Sequence, residues 1–523
     1  MITNLLFQNH ISEKRYRWQS GSSITGKKLA SEIDLVRDLK LDILFDAMAD
    51  GNSYLKKLCR NVLLRPLADP AGIHRRQEIV KDALANPEFI RELYREASGS
   101  LTQTAEYQDF NQPMYAGMIT SMKKVISYSE IASIYLKQLT RIHALIIAKK
   151  ENLTSAVLRE FCQEFLSNYS DQFLREAGQT VEQLLLLRSE TEIEIGGHLG
   201  TGLKLTDIRL HQICKDSDTG NLKKTSDSFR RNIARSLSFK KADAVILLDN
   251  NRLVNLSNEM VEASFLWILR ILDAFTSECK QLCEAIREMF GFYTCCINLH
   301  QKLINIDTGV TFPIITTACN MIAFHNLTDL GLVLKDGKAA VGNTLSMTGK
   351  MLVIITGSNQ GGKSTFLRSV GLAQLMAQSG LFVAAEAYEC NIYQGIHTHF
   401  PNEEDSSLRH GLLEEELRKL SELVPYMKPG SLLLMNESFS TTVEYDAAIL
   451  AEQVTDAFTK CGITTLFVTH LYEYAHALYL KNSADCCFLR AGRNLDGSRT
   501  YQLEEGEPLR SSFSMDLYQQ IFG

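Results

Sequence analysis

Residues 352–367 read LVIITGSNQGGKSTFL, an apolar run, then glycines gathered around one lysine, then a helix-like start. Gly357-Ser358-Asn359-Gln360-Gly361-Gly362-Lys363-Ser364 satisfies G-x-x-x-x-G-K-[ST]. In such a loop the backbone N–H groups wrap phosphate oxygens so closely that side chains at the glycine positions would block them. The helix that follows adds unpaired amides and the positive end of its dipole. In that arrangement Lys363 reaches the β- and γ-phosphates and the Ser364 hydroxyl ligates Mg2+, with Thr365 completing the nucleotide-holding segment. The required context is present: an apolar strand over Met351–Ile355 precedes the loop, and a helix over 364–379, stopped by Gly380, follows it.

A triphosphate site that hydrolyses needs a neighbouring strand that brings acidic groups to the metal and the attacking water. SLLLMNES (431–438) supplies a buried strand ending at Asn436-Glu437. Glu437 is the residue to orient or deprotonate water. Asn436 stands where an aspartate would hold the Mg2+ shell; its amide oxygen can still accept from a metal-bound water, with one negative charge fewer. A third strand, TTLFVTH (464–470), ends at His470, placed to sense the γ-phosphate.

The rest of the chain divides by texture. It has 523 residues, too many for one core, with 45% apolar and 22% charged residues and a net charge of −6. No global positive field draws it to nucleic acid, so DNA binding requires a local basic face. The twelve cysteines include no C-x-x-C pair, which argues for buried reduced thiols over a zinc clamp or disulfide framework. No signal peptide and no membrane-spanning run is evident, so a soluble, cytoplasmic protein with no membrane partner is expected.

No proline lies between Pro113 and Pro313, which predicts long helices. Residues 129–150 and 257–290 carry apolar residues at helical spacing, the second with Phe265, Leu266, Ile268, Leu269 and Leu272 on one face. TEIEIGGHLGTGLKL (191–205) alternates around four glycines and reads as a β-hairpin. Beyond Pro313, β-rich runs (351–356, 432–435, 464–469, 486–490) alternate with helical stretches (364–379, 411–424, 446–460), the pattern of a mostly parallel α/β sheet. The expected fold is multidomain, an all-α region with a small β insertion followed by an α/β phosphate-loop NTPase domain.

These elements in this order resemble the MutS family of DNA mismatch-repair ATPases, in the ABC-type branch of phosphate-loop proteins. TGSNQGGKSTFLRSVGLAQLMAQSGLFVAAE (356–386) is similar to the family's phosphate loop and following helix. LLLMNES with Tyr445-Asp446 resembles its acidic strand, and LFVTHLYE (466–473) its Thr-His-x-x-Glu element. LLRPLADPAGIHRRQEIVKDAL (63–84) resembles the start of its helical core. The resemblance implies ATP and Mg2+ as cofactors, and catalytic roles for Lys363, Glu437 and His470. It also implies homodimerisation through the ATPase domains, and helical levers that clamp DNA in mismatch repair or related repair and recombination. The implied layout is an N-terminal segment over 1–40, a helical core and lever over 41–300 with a clamp-like insertion around 190–250, and an ATPase domain over 301–523.

Three departures sharpen these expectations. The chain enters the core by about residue 40, leaving no room for the family's mismatch-binding and connector domains, so plain and mismatched duplexes should act alike. The serine that reaches across the family's dimer falls near Gly411 here. Asn436 replaces an acid. Independently, KKTSDSFRRNIARSLSFKK (223–241) carries Lys223, Lys224, Arg230, Arg231, Arg235, Lys240 and Lys241 against Asp227 alone. Such a run suits duplex or branched DNA backbone, and equally a solvated helix face. The alternative to a DNA-binding ATPase is a nucleotide-gated protein-interaction switch with little hydrolysis and no mismatch recognition. His397 and His399 share one side of a strand without a third ligand, and read as structural. His325 and Asn343 lie near the nucleotide base only by the family layout.

Overall fold

A computed structural model describes residues 5–6, 26–110, 121–188, 191–199, 205–215, 250–318, 320–358, 360–401, 411–494 and 498–509. The proline-poor part is helical, as its composition requires. α1 spans Gly26–Asp38, α2 Leu41–Ala49, α3 Ser53–Leu63, α4 Pro70–Ala85, α5 Pro87–Phe110, α6 Ser121–Lys149, α7 Ala156–Asn168 and α8 Asp171–Leu185. The start of α4 shows how local chemistry fixes an end: the Asp69 carboxylate accepts the Gly72 amide at 2.5 Å, and Pro70 sits where its missing N–H costs nothing.

The hairpin predicted over 191–205 is present but longer. β1 (Thr191–Leu199) pairs antiparallel with β2 (Leu205–Lys215), and Gly196 and Gly197 lie inside β1 rather than in the turn. Pairing slips at Gly196/His198, where glycine relaxes the pleat. The basic run 223–241 lies outside the described residues.

α9 then runs from Asn250 to Asn305, 56 residues and about 84 Å long. Phe265, Ile268 and Leu272 are buried as expected, but Leu266 is half exposed and joins Trp267 on an outer face. The apolar stripe is therefore narrower than the sequence pattern implied. Toward its end α9 is buried on most sides, with Phe290, Phe292, Tyr293, Cys295, Cys296 and Leu299 wrapped by α2, α3, α4 and α5. Cys295 and Cys296 are buried free thiols, as composition suggested, whereas Cys461 is exposed and Cys486 only partly buried.

The remaining elements alternate. β3 is Ile314–Ile315, β4 Ile322–Leu327, α10 Leu330–Asp336, β5 Asn343–Ser346, β6 Leu352–Thr356, α11 Lys363–Gln378, β7 Ala387–Cys390 and β8 Ile396–His399. α12 is Leu412–Leu423, β9 Leu432–Asn436, α13 Glu444–Lys460, β10 Thr464–Val468, α14 Tyr472–Lys481, β11 Cys486–Arg493 and β12 Arg499–Glu505. A six-stranded sheet has the order β12-β11-β6-β10-β9-β8, parallel except for β12. A four-stranded sheet, β3-β7-β4-β5, lies beside it.

The two faces of the large sheet feed different cores. Val353, Ile355, Leu434 and Val468 face α11 and join the helical region's core. Leu352, Ile354, Leu433, Met435 and Phe467 face α12, α13 and α14. Strands buried on both sides explain the unbroken apolar runs in the sequence. α11 is also tied to the helical region at its far end. Leu67 and Gln378 exchange hydrogen bonds at 2.8 and 3.2 Å, and Arg76 donates to the Ser379 carbonyl at 3.1 Å. Among the described residues no helix is long and apolar enough to cross a membrane.

Candidate nucleotide site

Parallel pairing brings the predicted site residues to one edge of the sheet. β6 lies beside β10 and β10 beside β9, with Val468 level with both Ile355 and Asn436. The loop after β6, the Asn436-Glu437 pair and His470 therefore emerge side by side at the carboxyl ends of neighbouring strands. That end of an open α/β sheet is where ligands bind.

The loop itself is shaped by its glycines. Gly357 and Gly362 have φ of +121° and +89°, which side-chain-bearing residues rarely adopt. A Cβ on Gly361 would come within 2.8 Å of the Ala491 Cβ and 2.9 Å of the Ser358 carbonyl. The loop can close tightly only with these glycines. Lys363 opens α11 and is nearly inaccessible, its Nζ donating to the Gly357 and Ser358 carbonyls at 2.9 Å each. Burial pushes its ammonium down to about 8, with the Glu437 carboxylate pulling it back up. Among the described residues Lys363 forms no ion pair, so its charge is available to an anion entering the loop.

Two oxygens meet at the loop's other side: the Ser364 hydroxyl donates to Asn436 Oδ1 at 2.8 Å. Glu437 follows, half exposed, with His470 Nε2 3.2 Å from its Oε1. That hydrogen bond holds the Glu437 carboxyl below its usual range against the opposing effect of burial, so it is ionised at neutral pH. An ionised carboxylate only accepts, so His470 is the donor.

Gly357, Ser358, Gln360, Gly361, Gly362, Lys363, Ser364 and Thr365 form one continuous loop and helix start, with Thr365 Oγ1 accepting from Arg368 at 3.3 Å. Asn359 lies outside the described residues. Lys223, Lys224, Arg230, Arg231, Arg235, Lys240 and Lys241 do too. Gly411 is the exposed residue preceding α12. Asn343 is buried, its Oδ1 taken by the Leu503 amide at 2.7 Å, while His325 pairs with Glu386 at 2.7 Å. His397 and His399 are held neutral by burial, each pushed down to about 4. Among the described residues no cluster of His, Cys, Asp or Glu could hold a metal.

Sequence reading missed the wall beside the loop. Ala491 of β11 packs against Gly357 and Gly361, the Tyr501 carbonyl faces Gly362, and Arg499 donates to Gln360 Oε1 at 2.9 Å. The one available signal was Ala491-Gly492, two small residues inside an otherwise bulky strand.

The residues present fit a Mg2+-bound nucleoside triphosphate. The glycine cradle, the enclosed lysine without a carboxylate partner and the hard oxygens of Ser364 and Asn436 match its phosphates and its metal.

Comparison with known proteins agrees with this geometry. The MutS2 N-terminal domain family matches residues 68–306, and MutS domain V matches residues 353–517. The DNA mismatch repair protein MutS of Shouchella clausii is 24% identical over 455 residues, 80% of this chain and 49% of that protein. The DNA mismatch repair protein MutS of Chloroflexus aurantiacus is 34% identical over 138 residues, 25% of this chain and 14% of its own. MutS protein homolog 4 of Homo sapiens is 26% identical over 211 residues, 38% of this chain and 22% of its own. The chain thus spans about half the length of the first of these relatives and less of the other two. The two family matches cover the helical region and the large sheet in turn, in the order the fold shows them, and the chain belongs to the MutS family.

Proposed function

We propose that the chain is an ATP-binding, ATP-hydrolysing protein with an ABC-type ATPase domain that dimerises through that domain. Its nucleotide state would move the long helices that grip DNA in mismatch repair or related DNA repair. The observation that carries this reading is the meeting of Lys363, Ser364, Asn436, Glu437 and His470 at one edge of the sheet. In this reading the loop amides and Lys363 bind the phosphates, and Ser364 with Asn436 would hold Mg2+. The metal, when bound, neutralises charge on the β- and γ-phosphate oxygens. Glu437, ionised and steadied by His470, orients the attacking water and accepts its proton.

Support for a moving lever comes from the bonded far end of α11. A shift of the phosphate loop is transmitted along one rigid helix to Leu67 and Arg76 at the base of the helical region. One observation favours a second reading, a nucleotide-gated interaction switch with little hydrolysis. Ser364 faces the neutral amide of Asn436 where an acid would bind Mg2+ more tightly.

ATP turnover of the purified protein with no DNA, plain duplex, mismatched duplex and a four-way junction separates the two, with Lys363→Ala as control. Turnover that DNA changes and Lys363→Ala abolishes supports the first reading. ATP binding without turnover under any of these conditions supports the second.

A further inference from the structure

Glu437 and Phe439 both have positive φ, 52° and 66°, a region that residues with a side chain adopt only uncommonly, a bulky aromatic least readily. Two side-chain-bearing residues in left-handed conformation, two positions apart, persist only where their surroundings over-determine the backbone. The surroundings do so at each of three successive residues. The Glu437 amide donates to the Val468 carbonyl at 2.7 Å, fixing the turn to β10. Ser438 Oγ lies 2.8 Å from His399 Nδ1, and the Phe439 amide donates to Glu416 Oε1 at 2.7 Å. The Phe439 ring is fully buried in the core under α12 and α13.

Glu416 of α12 acts twice in this network. Its backbone carbonyl accepts from His399 Nε2 at 3.3 Å, which puts the imidazole proton on Nε2 and leaves Nδ1 to accept from the Ser438 hydroxyl. Its carboxylate then caps the Phe439 amide. Among the described residues neither Glu416 nor His399 bonds to the phosphate loop; both grip the turn through Ser438 and Phe439.

We propose that Glu416 and His399 are positioning residues that hold the strained 437–439 turn and so aim the Glu437 carboxylate at the reacting phosphate. They set the rate of ATP turnover and leave nucleotide affinity to the glycine loop. This inference rests on the reading of Glu437 as the water-orienting base.

The experiment measures kcat for ATP and the dissociation constant of a fluorescent ATP analogue for the full chain and three variants, Glu416→Ala, Glu416→Gln and Ser438→Ala. Glu416→Ala removes the acceptor of the Phe439 amide. Ser438→Ala removes the link to His399 without opening a cavity, and serves if Glu416→Ala does not fold. Both should lower kcat by about tenfold or more while the analogue binds within about threefold of wild type, because a displaced catalytic group costs rate rather than binding. Glu416→Gln keeps an acceptor oxygen and should restore kcat to within about threefold. Wild-type kcat in Glu416→Ala and Ser438→Ala would overturn the proposal, as would a parallel loss of rate and affinity. A wild-type protein that hydrolyses no ATP would instead overturn the base role of Glu437 itself, and the proposal with it.

Discussion

At the scale of single residues the site makes opposing demands that its neighbours resolve. Lys363 is enclosed, and its charge is tolerated because two carbonyls accept from it. Lys363→Ala removes both the cation and the loop's internal bracing. ATP affinity should fall by at least about tenfold, the loss of a charge-assisted contact, as read by titration with a fluorescent analogue. Asn436 offers the opposite test. Asn436→Asp keeps the acceptor oxygen for Ser364 and adds the missing charge, so the Mg2+ concentration for half-maximal turnover should drop by about tenfold. An unchanged Mg2+ requirement would mean that position 436 does not face the metal.

At the scale of elements, what sequence could and could not reveal divides cleanly by locality. The strands at 352–356, 432–436 and 464–468 and the helix at 363–378 were legible because each announces itself within its own run of residues. The hairpin's register was not, since Gly196 and Gly197 suit a turn as well as a bulge and only cross-strand pairing decides. The roles of Glu416 and His399 were equally hidden. They lie 23 and 39 residues from their partners in the 437–439 turn, and no local pattern encodes that meeting. β8 carries a testable pH signature. Burial holds its His397 imidazole down at about 4, so the folded chain stays neutral there while the unfolded chain takes up a proton below about 6.5. Stability contributed by the neutral ring is therefore lost as pH falls from about 6.5 towards 4. Urea unfolding at pH 7 and pH 5 should show His397→Gln losing about 1–2 kcal/mol less than wild type between the two.

At the scale of the whole molecule, sheet and helices share one continuous apolar core, pinned by specific polar contacts. Arg76 is fully buried, donates to the carbonyls of Ser379 and Leu6, and lies over the Phe292 ring. Arg76→Ala strands those carbonyls and opens a cavity, so urea unfolding at neutral pH should show a loss of about 3 kcal/mol or more. The DNA grip, by contrast, is proposed for the basic run 223–241. Replacing Arg230, Arg231 and Arg235 together with alanine should flatten the log–log salt dependence of duplex binding by about 2–3, measured by fluorescence anisotropy. An unchanged slope would return that run to the role of a solvated surface.

The claim on which function turns is that Glu437 faces a nucleotide seated in the glycine loop. The most direct measurement is ATP turnover at saturating ATP and Mg2+ by the wild-type chain beside Glu437→Gln. Loss of the base should slow hydrolysis by about a hundredfold or more. Equal rates in the two proteins would contradict the assignment.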